Sequence, residues 1–129
     1  MKDSEQGFTL IEFLVALVIL NVGLLGLLQC INLAMDKNLE NMFRTEAVML
    51  ADDRMMHKRT ESYASLAITA SNPPKISLSR ATRGIFKNYS VQEIINQVTP
   101  NSKEIIINVS WKKKNTNFSH SISSIVSIF

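Results

Sequence analysis

Cysteine, proline and glycine are all scarce in this chain, and their scarcity argues against an internal disulfide, an early break in a helix and a glycine-rich phosphate loop. Cys30 is the only cysteine among the 129 residues, so no disulfide can form within the chain and the fold must be held together by packing. The first of the three prolines is Pro73, so no proline interrupts a helix before that position. The four glycines form no glycine-rich loop of the kind that binds phosphate, so a nucleotide site is not expected.

Residues that perform catalysis or bind metals are equally sparse. His57 and His120 are far apart in sequence, and no motif combines histidines, cysteines and carboxylates at the spacing of metal ligands. No serine, cysteine or threonine stands out as a nucleophile beside a general base. We therefore expect no enzymatic activity, no metal and no cofactor.

Charge is also missing from a long N-terminal stretch, where Glu12 is the only charged residue between Gln6 and Met35. The apolar run Phe8–Leu28 has 21 residues, enough to cross a hydrocarbon core of about 30 Å at about 1.5 Å per residue. An ionised carboxylate in the middle of a bilayer costs about 2.5–3.5 kcal/mol, so a lone one marks a functional residue. The alternative is a plain signal-anchor helix whose Glu12 lies at the membrane interface.

The residues around Glu12 resemble a known family. Gly7-Phe8-Thr9-Leu10-Ile11-Glu12, followed by the apolar run, is similar to the N-terminus of type IV pilins and of type II secretion pseudopilins. In that family a membrane-embedded prepilin peptidase cuts after the glycine and methylates the new N-terminus. The resemblance implies a cut between Gly7 and Phe8, N-methylation of Phe8, and pairing of Glu12 with the terminal amine of a neighbouring subunit.

The same resemblance divides the chain into three parts and implies an α+β type IV pilin fold. The parts are a leader peptide at residues 1–7, a transmembrane helix segment at residues 8–32, and residues 33–129, which hold the amphipathic half of the helix and a small head. In this fold the long N-terminal helix, half transmembrane and half amphipathic, packs on a small C-terminal antiparallel sheet.

The periodicity beyond the membrane segment predicts that the helix continues to about Arg59. Apolar residues recur there at steps of three and four, as on one side of an amphipathic helix: Met35, Leu39, Met42, Phe43, Ala47 and Leu50. The methionines of this helix are interpreted as core filler, at positions Met35, Met42, Met49, Met55 and Met56.

The head is predicted to contain a sheet of about three strands and one short helix. Ile76–Leu78 forms a short strand, and Ser90 with Glu93 three residues later is a capping box that opens a helix through Val98. Apolar residues at every second position from Ile105 to Trp111 predict a half-buried strand. Residues 113–117 form a turn, and Phe118–Phe129 returns as the last strand.

Two stretches resemble particular subgroups of the pilin family. The segment Ala47–Met55, with its acidic and arginine end, and the strand that ends at Trp111 are similar to minor pilins of the PilV type. They are also similar to I-subunit pseudopilins of type II secretion. The resemblance implies a minor pilin that helps to initiate pilus assembly and lies near the tip, with other minor and major pilins as partners. It also implies a single-pass protein of the bacterial inner membrane, with its C-terminus outside the cytoplasm before assembly into a pilus or pseudopilus.

The charges leave one further alternative open. Residues 8–53 have two basic and six acidic side chains, whereas residues 54–129 have eleven basic and three acidic ones. Such asymmetry fits either attraction to nucleic acid or contact between the basic head of one subunit and the acidic helix of another. The candidate basic patch comprises Arg80, Arg83, Lys87, Lys112, Lys113 and Lys114. Lysines of this kind often protect the edge of a hairpin or sheet from pairing with another chain. If the patch instead binds nucleic acid, the protein is a DNA-binding minor pilin of an uptake pilus.

Overall fold

The computed structural model describes residues 9–69, 73–82 and 84–128. One helix, α1, spans Leu10–Thr60. Four strands follow: β1 at Ile76–Thr82, β2 at Ile85–Thr99, β3 at Ser102–Lys113 and β4 at Thr116–Ser127. The strands pair in chain order as one antiparallel meander. The predicted α+β architecture, a long N-terminal helix and a small antiparallel sheet, is confirmed.

The helix is continuous because nothing in its sequence stops it. It begins after Thr9 and has three basic side chains in its last turn, where they interact favourably with the helix dipole. Every described residue from Thr9 to Met35 is exposed. The chain divides into two compact units, the first ending at Leu39 and the second beginning at Glu40.

The core of the second unit lies between the last five turns of α1 and the middle of the sheet. The helix contributes five buried side chains at helical spacing: Phe43, Ala47, Leu50, Ala51 and Met55. The two central strands contribute the opposite side: Tyr89, Val91 and Ile95 from β2, and Ile105, Ile107, Val109 and Trp111 from β3. The small side chains of Ala47 and Ala51, both fully buried, let the helix lie close against the sheet.

The predicted helix at Ser90–Val98 is wrong, because these residues belong to β2. This strand pairs with β1 on one side and with β3 on the other, which outweighs the local capping signal. Alternate residues of β2 face the helix, and Glu93 is one of them. Glu93 interrupts the apolar alternation of the sequence because its carboxylate forms ion pairs with Arg54 at 3.8 Å and Lys58 at 3.5 Å on α1.

The head therefore has four strands where about three were expected. The predicted strand at Ile76–Leu78 is the start of β1, which continues to Thr82. The last strand begins at Thr116 rather than Phe118. Lys114 has the left-handed φ of 53° that the tight β3–β4 turn requires. The predicted end of this strand, Phe129, lies outside the described residues.

The interpretation of the methionines as core filler is correct for only some of them. Met55 is buried and Met42 is half-buried. Met35, Met49 and Met56 are exposed. The buried residues of α1 run from Phe43 to Met55. Met35 lies before this range, and Met49 and Met56 lie next to buried residues but point to solvent.

Candidate functional site: the N-terminal segment and the charged residues of the head

The first turn of α1 is closed by a reciprocal pair of hydrogen bonds between Thr9 and Glu12. Glu12 Oε2 accepts hydrogen bonds from the Thr9 backbone N–H and from Thr9 Oγ1, both at 2.8 Å. The Glu12 backbone N–H donates in return to Thr9 Oγ1 at 3.4 Å. This arrangement is a capping box, which satisfies backbone donors that a helix start otherwise leaves without partners.

The capping box was missed from the sequence, although its signal was present. Threonine followed three residues later by glutamate is the same pattern that was recognised, wrongly, at Ser90. Only one oxygen of the Glu12 carboxylate is used, since Oε1 accepts no hydrogen bond from a described residue. Gly7 and Phe8, the predicted cleavage and methylation positions, lie outside the described residues.

The apolar half of α1 has the properties of a membrane span. It contains an 18-residue window that is apolar enough to cross a bilayer and that has no side chain buried against the rest of the chain. Its polar Asn21 donates a hydrogen bond from Nδ2 to the Leu17 carbonyl at 2.8 Å, so this amide is partly satisfied within the helix. A Cβ at Gly23 or Gly26 would meet nothing within 4 Å, so no contact inside the chain requires these glycines.

The residues of the predicted basic patch lie on more than one face of the head. Arg80 and Lys87 are cross-strand neighbours on β1 and β2. Both point to the helix side of the sheet, where Arg80 lies 3.8 Å from Asp53 and the Lys87 ammonium lies 5.1 Å from the centre of the Phe43 ring. Lys113 also faces the helix and pairs with Glu40 at 3.8 Å. These contacts link the acidic helix and the basic head within one chain.

The remaining patch residues are placed differently. Lys112 points to the opposite face of the sheet, and Lys114 lies in the β3–β4 turn. Arg83 lies outside the described residues. Trp111, the aromatic residue next to the lysines, is only 5% exposed, and its ring stacks on Phe118 at a centroid distance of 5.7 Å. It belongs to the core rather than to an exposed binding surface.

An ionic cluster fixes the end of α1 to the sheet and the loop that follows. Lys58 lies 2.9 Å from Glu61 and 3.5 Å from Glu93. The hydrogen bond from Lys58 holds the pKa of Glu61 below its usual value, and the same bond raises the pKa of Lys58. Among the described residues, no group of three or more histidine, cysteine or acidic side chains is placed to hold a metal ion. The head is thus organised around packing and ion pairs between its helix and its strands.

Comparison with known proteins concerns the N-terminal segment. Residues 2–28 match a family model described as the prokaryotic N-terminal methylation motif. The matched range contains the Gly7–Phe8 junction, the Thr9–Glu12 capping box and the apolar run. No curated protein and no solved structure matches the chain significantly. The match supports the resemblance to type IV pilins and pseudopilins, a family of structural subunits, and it covers no part of the sheet.

Proposed function

We propose that this chain is a minor type IV pilin of the PilV kind, a structural subunit that helps to initiate pilus assembly and lies near the tip. The observation that carries the proposal is the N-terminal segment. The methylation motif at residues 2–28 includes an exposed apolar helical segment whose single charge, Glu12, lies in the first turn of α1. The head, a helix packed on a four-stranded meander, is the arrangement expected of a pilin.

In this proposal the protein begins as a single-pass inner-membrane protein with its C-terminus outside the cytoplasm. The prepilin peptidase removes residues 1–7 and methylates Phe8. The mature subunit then joins other minor and major pilins. The same architecture also serves a minor pseudopilin of type II secretion, and the complex from which the chain is recovered decides between the two.

Glu12 has a second task in assembly besides closing the helix. Its capping bonds use Oε2, which leaves Oε1 for a cation. No lysine or arginine lies between Lys2 and Lys37, so the chain itself provides no basic side chain nearby. Cleavage after Gly7 creates an amine on each subunit, and a neighbour's amine offsets the cost of a carboxylate in the membrane. We therefore assign Glu12 to pairing with the N-terminal amine of another subunit.

The capping box makes it possible to separate the two tasks by mutation. Glu12→Gln keeps a side chain that suits a capping box but removes the charge. Thr9→Ala removes the capping hydroxyl but keeps the charge, and Thr9→Ser is its conservative control. Each variant is co-expressed with the partner pilins and the peptidase, and leader removal and copurification with the partners are measured separately.

We expect Glu12→Gln to be processed normally but not to copurify with its partners, as with Glu12→Ala. Thr9→Ala should still copurify, because the charge remains. Normal copurification of Glu12→Gln would contradict the pairing role. Equal losses in Glu12→Gln and Thr9→Ala, with Thr9→Ser unaffected, would show that the capping box rather than the charge supports assembly.

A further inference from the structure

Short polar side chains form two neighbouring rows on the face of the sheet that points away from α1, a face that also has large apolar residues: Phe86, Ile94, Ile106 and Ile125. The register of the strands aligns one serine from each strand in a row across the sheet: Ser77, Ser90, Ser110 and Ser119. The next row continues with Gln92, Asn108 and Ser121. Short side chains on neighbouring strands leave a flat, open surface that presents hydroxyl and amide groups.

A shallow basin of about 420 Å³ lies on this face. It is lined by the last three serines of the first row, by Asn88 and Asn117, and by Lys75 and Lys112. Its volume falls within the usual range of ligand sites. Because the basin is open and lies on a flat sheet, it suits a segment of a chain better than an enclosed small molecule.

The two lysines differ from four other cations of the head in their surroundings. Arg54, Lys58, Arg80 and Lys113 each have an acidic partner within 4.0 Å. Lys75 and Lys112 have no such partner among residues 9–69, 73–82 and 84–128. The acidic residue on the outer face of the described strands is Glu104, which is six residues from Ser110 and therefore about 20 Å away along β3. The basin is thus a local positive site without a carboxylate of its own.

The neutral groups of the basin decide which anion it suits. Serine hydroxyls and asparagine amides both donate and accept hydrogen bonds, whereas a phosphate or carboxylate only accepts. A ligand that uses all of these groups therefore has hydroxyl groups as well as negative charges. We propose that the basin binds a segment of an acidic polysaccharide, with the lysines at its carboxylates and the serines and asparagines at its hydroxyls.

The aromatic rings that line the basin are not free to stack on bases, which argues against single-stranded nucleic acid as its occupant; the exposed ring of Phe86 lies on the same face but outside the basin. Proteins that bind single strands provide exposed aromatic rings on which the bases stack. Trp111 and Phe118 border the basin, but Trp111 is almost fully buried and the two rings stack on each other. Duplex DNA is recognised mainly through many phosphate contacts, and two lysines provide few of these.

The basin also lies where a surface ligand can reach it. The basin lies on the face of the sheet that points away from α1, whereas the core lies between α1 and the other face. A ligand can therefore bind there even when neighbouring subunits cover the helix.

The test uses the full chain, purified in an uncharged detergent at physiological ionic strength, and immobilised alginate, a polymer of uronic acids, as the probe. Neutral dextran and duplex DNA are the comparison ligands. We expect binding to alginate, none to dextran, and weaker binding to DNA. Lys75→Gln and Lys112→Gln should each weaken alginate binding about tenfold, because each removes a charge-assisted hydrogen bond.

Two further variants separate a built site from general attraction of anions. Lys114→Gln removes a charge from the adjacent turn, outside the basin, and should change binding less than about twofold. Asn117→Ala removes one amide without a change in charge and should weaken binding about threefold to tenfold. Fluorescence of Trp111, the only tryptophan, checks that each variant is folded.

Several results would overturn the proposal. Unchanged alginate binding by both basin lysine variants would show that the basin is not the site. A second contrary result is that Lys114→Gln weakens binding as much as Lys112→Gln does while Asn117→Ala has no effect. That result would show that alginate binds only through general attraction between a polyanion and a basic protein. Tighter binding to DNA than to alginate, lost in the same variants, would assign the face to nucleic acid instead.

Discussion

Replacement of Leu50 by alanine tests the packing between α1 and the sheet. The Leu50 side chain is 1% exposed, and it lies between the fully buried residues Ala47 and Ala51. The substitution removes three carbon atoms, worth about 0.8 kcal/mol each when buried, or about 2.4 kcal/mol in transfer free energy. A residual cavity adds to this, and buried leucine-to-alanine changes cost about 2–5 kcal/mol in total. Because the helix already lies close to the sheet through two alanines, little collapse can fill the space, and we expect about 3–4 kcal/mol.

The assay is denaturant unfolding of the full chain in detergent, followed by the fluorescence of Trp111. This residue is the only tryptophan and is 5% exposed within the head, so its signal reports on the head rather than on the membrane segment. The neighbouring Met49 is 53% exposed, and Met49→Ala is the matched control, expected to cost less than about 0.5 kcal/mol. A cost below about 0.5 kcal/mol for Leu50→Ala, or equal costs for both variants, would refute the described packing of the helix.

Three further predictions concern ionisable side chains of the head. The hydrogen bond from Lys58 lowers the pKa of Glu61 below its usual value of 4.5, so the stabilising contribution of Glu61 is present above that pH and is lost as the pH falls through the lower folded pKa. Glu61→Gln should therefore flatten the loss of thermal stability below about pH 4.5. Lys103 is buried and donates to two backbone carbonyls at 2.9 and 2.7 Å, so Lys103→Met should destabilise the head by about 1–3 kcal/mol in the same denaturant assay, unlike Lys112→Met at an exposed lysine of the same strand. Burial raises the pKa of Tyr89 to about 12, with a smaller contribution from Glu46, so an absorbance titration should show a tyrosine that ionises near pH 12 and is absent from Tyr89→Phe.

The parts of the fold that were predictable are those in which one periodic pattern dominates. The apolar run, the absence of proline before Pro73 and the spacing from Phe43 to Leu50 were sufficient to predict a continuous helix. The alternation from Ile105 to Trp111 was sufficient for β3, because one face of that strand is consistently apolar. Ile106, an apolar residue at a position between those of the pattern, lies on the outer face opposite Ile94 of β2.

The parts that were misread depend on contacts between distant residues. β2 was taken for a helix because Glu93 occupies a position that faces the core, and only the cations of α1 explain a carboxylate there. The basic residues could be identified as a set, but only the register of β1 on β2 shows that Arg80 and Lys87 are neighbours on the helix side of the sheet. The row of serines across the sheet is likewise visible only once four strands are aligned.

The central claim, that this chain is a processed pilin-like subunit, is tested most directly by the mass of its N-terminal peptide. The chain is co-expressed with its native prepilin peptidase, recovered from the membrane or from assembled filaments, and analysed by mass spectrometry. The account predicts a mature chain that starts at N-methylated Phe8, and it predicts that substitution of Gly7 by a bulky residue blocks the cut. Recovery of intact residues 1–7 on the assembled protein would contradict the account, as would normal cleavage of the Gly7 variant.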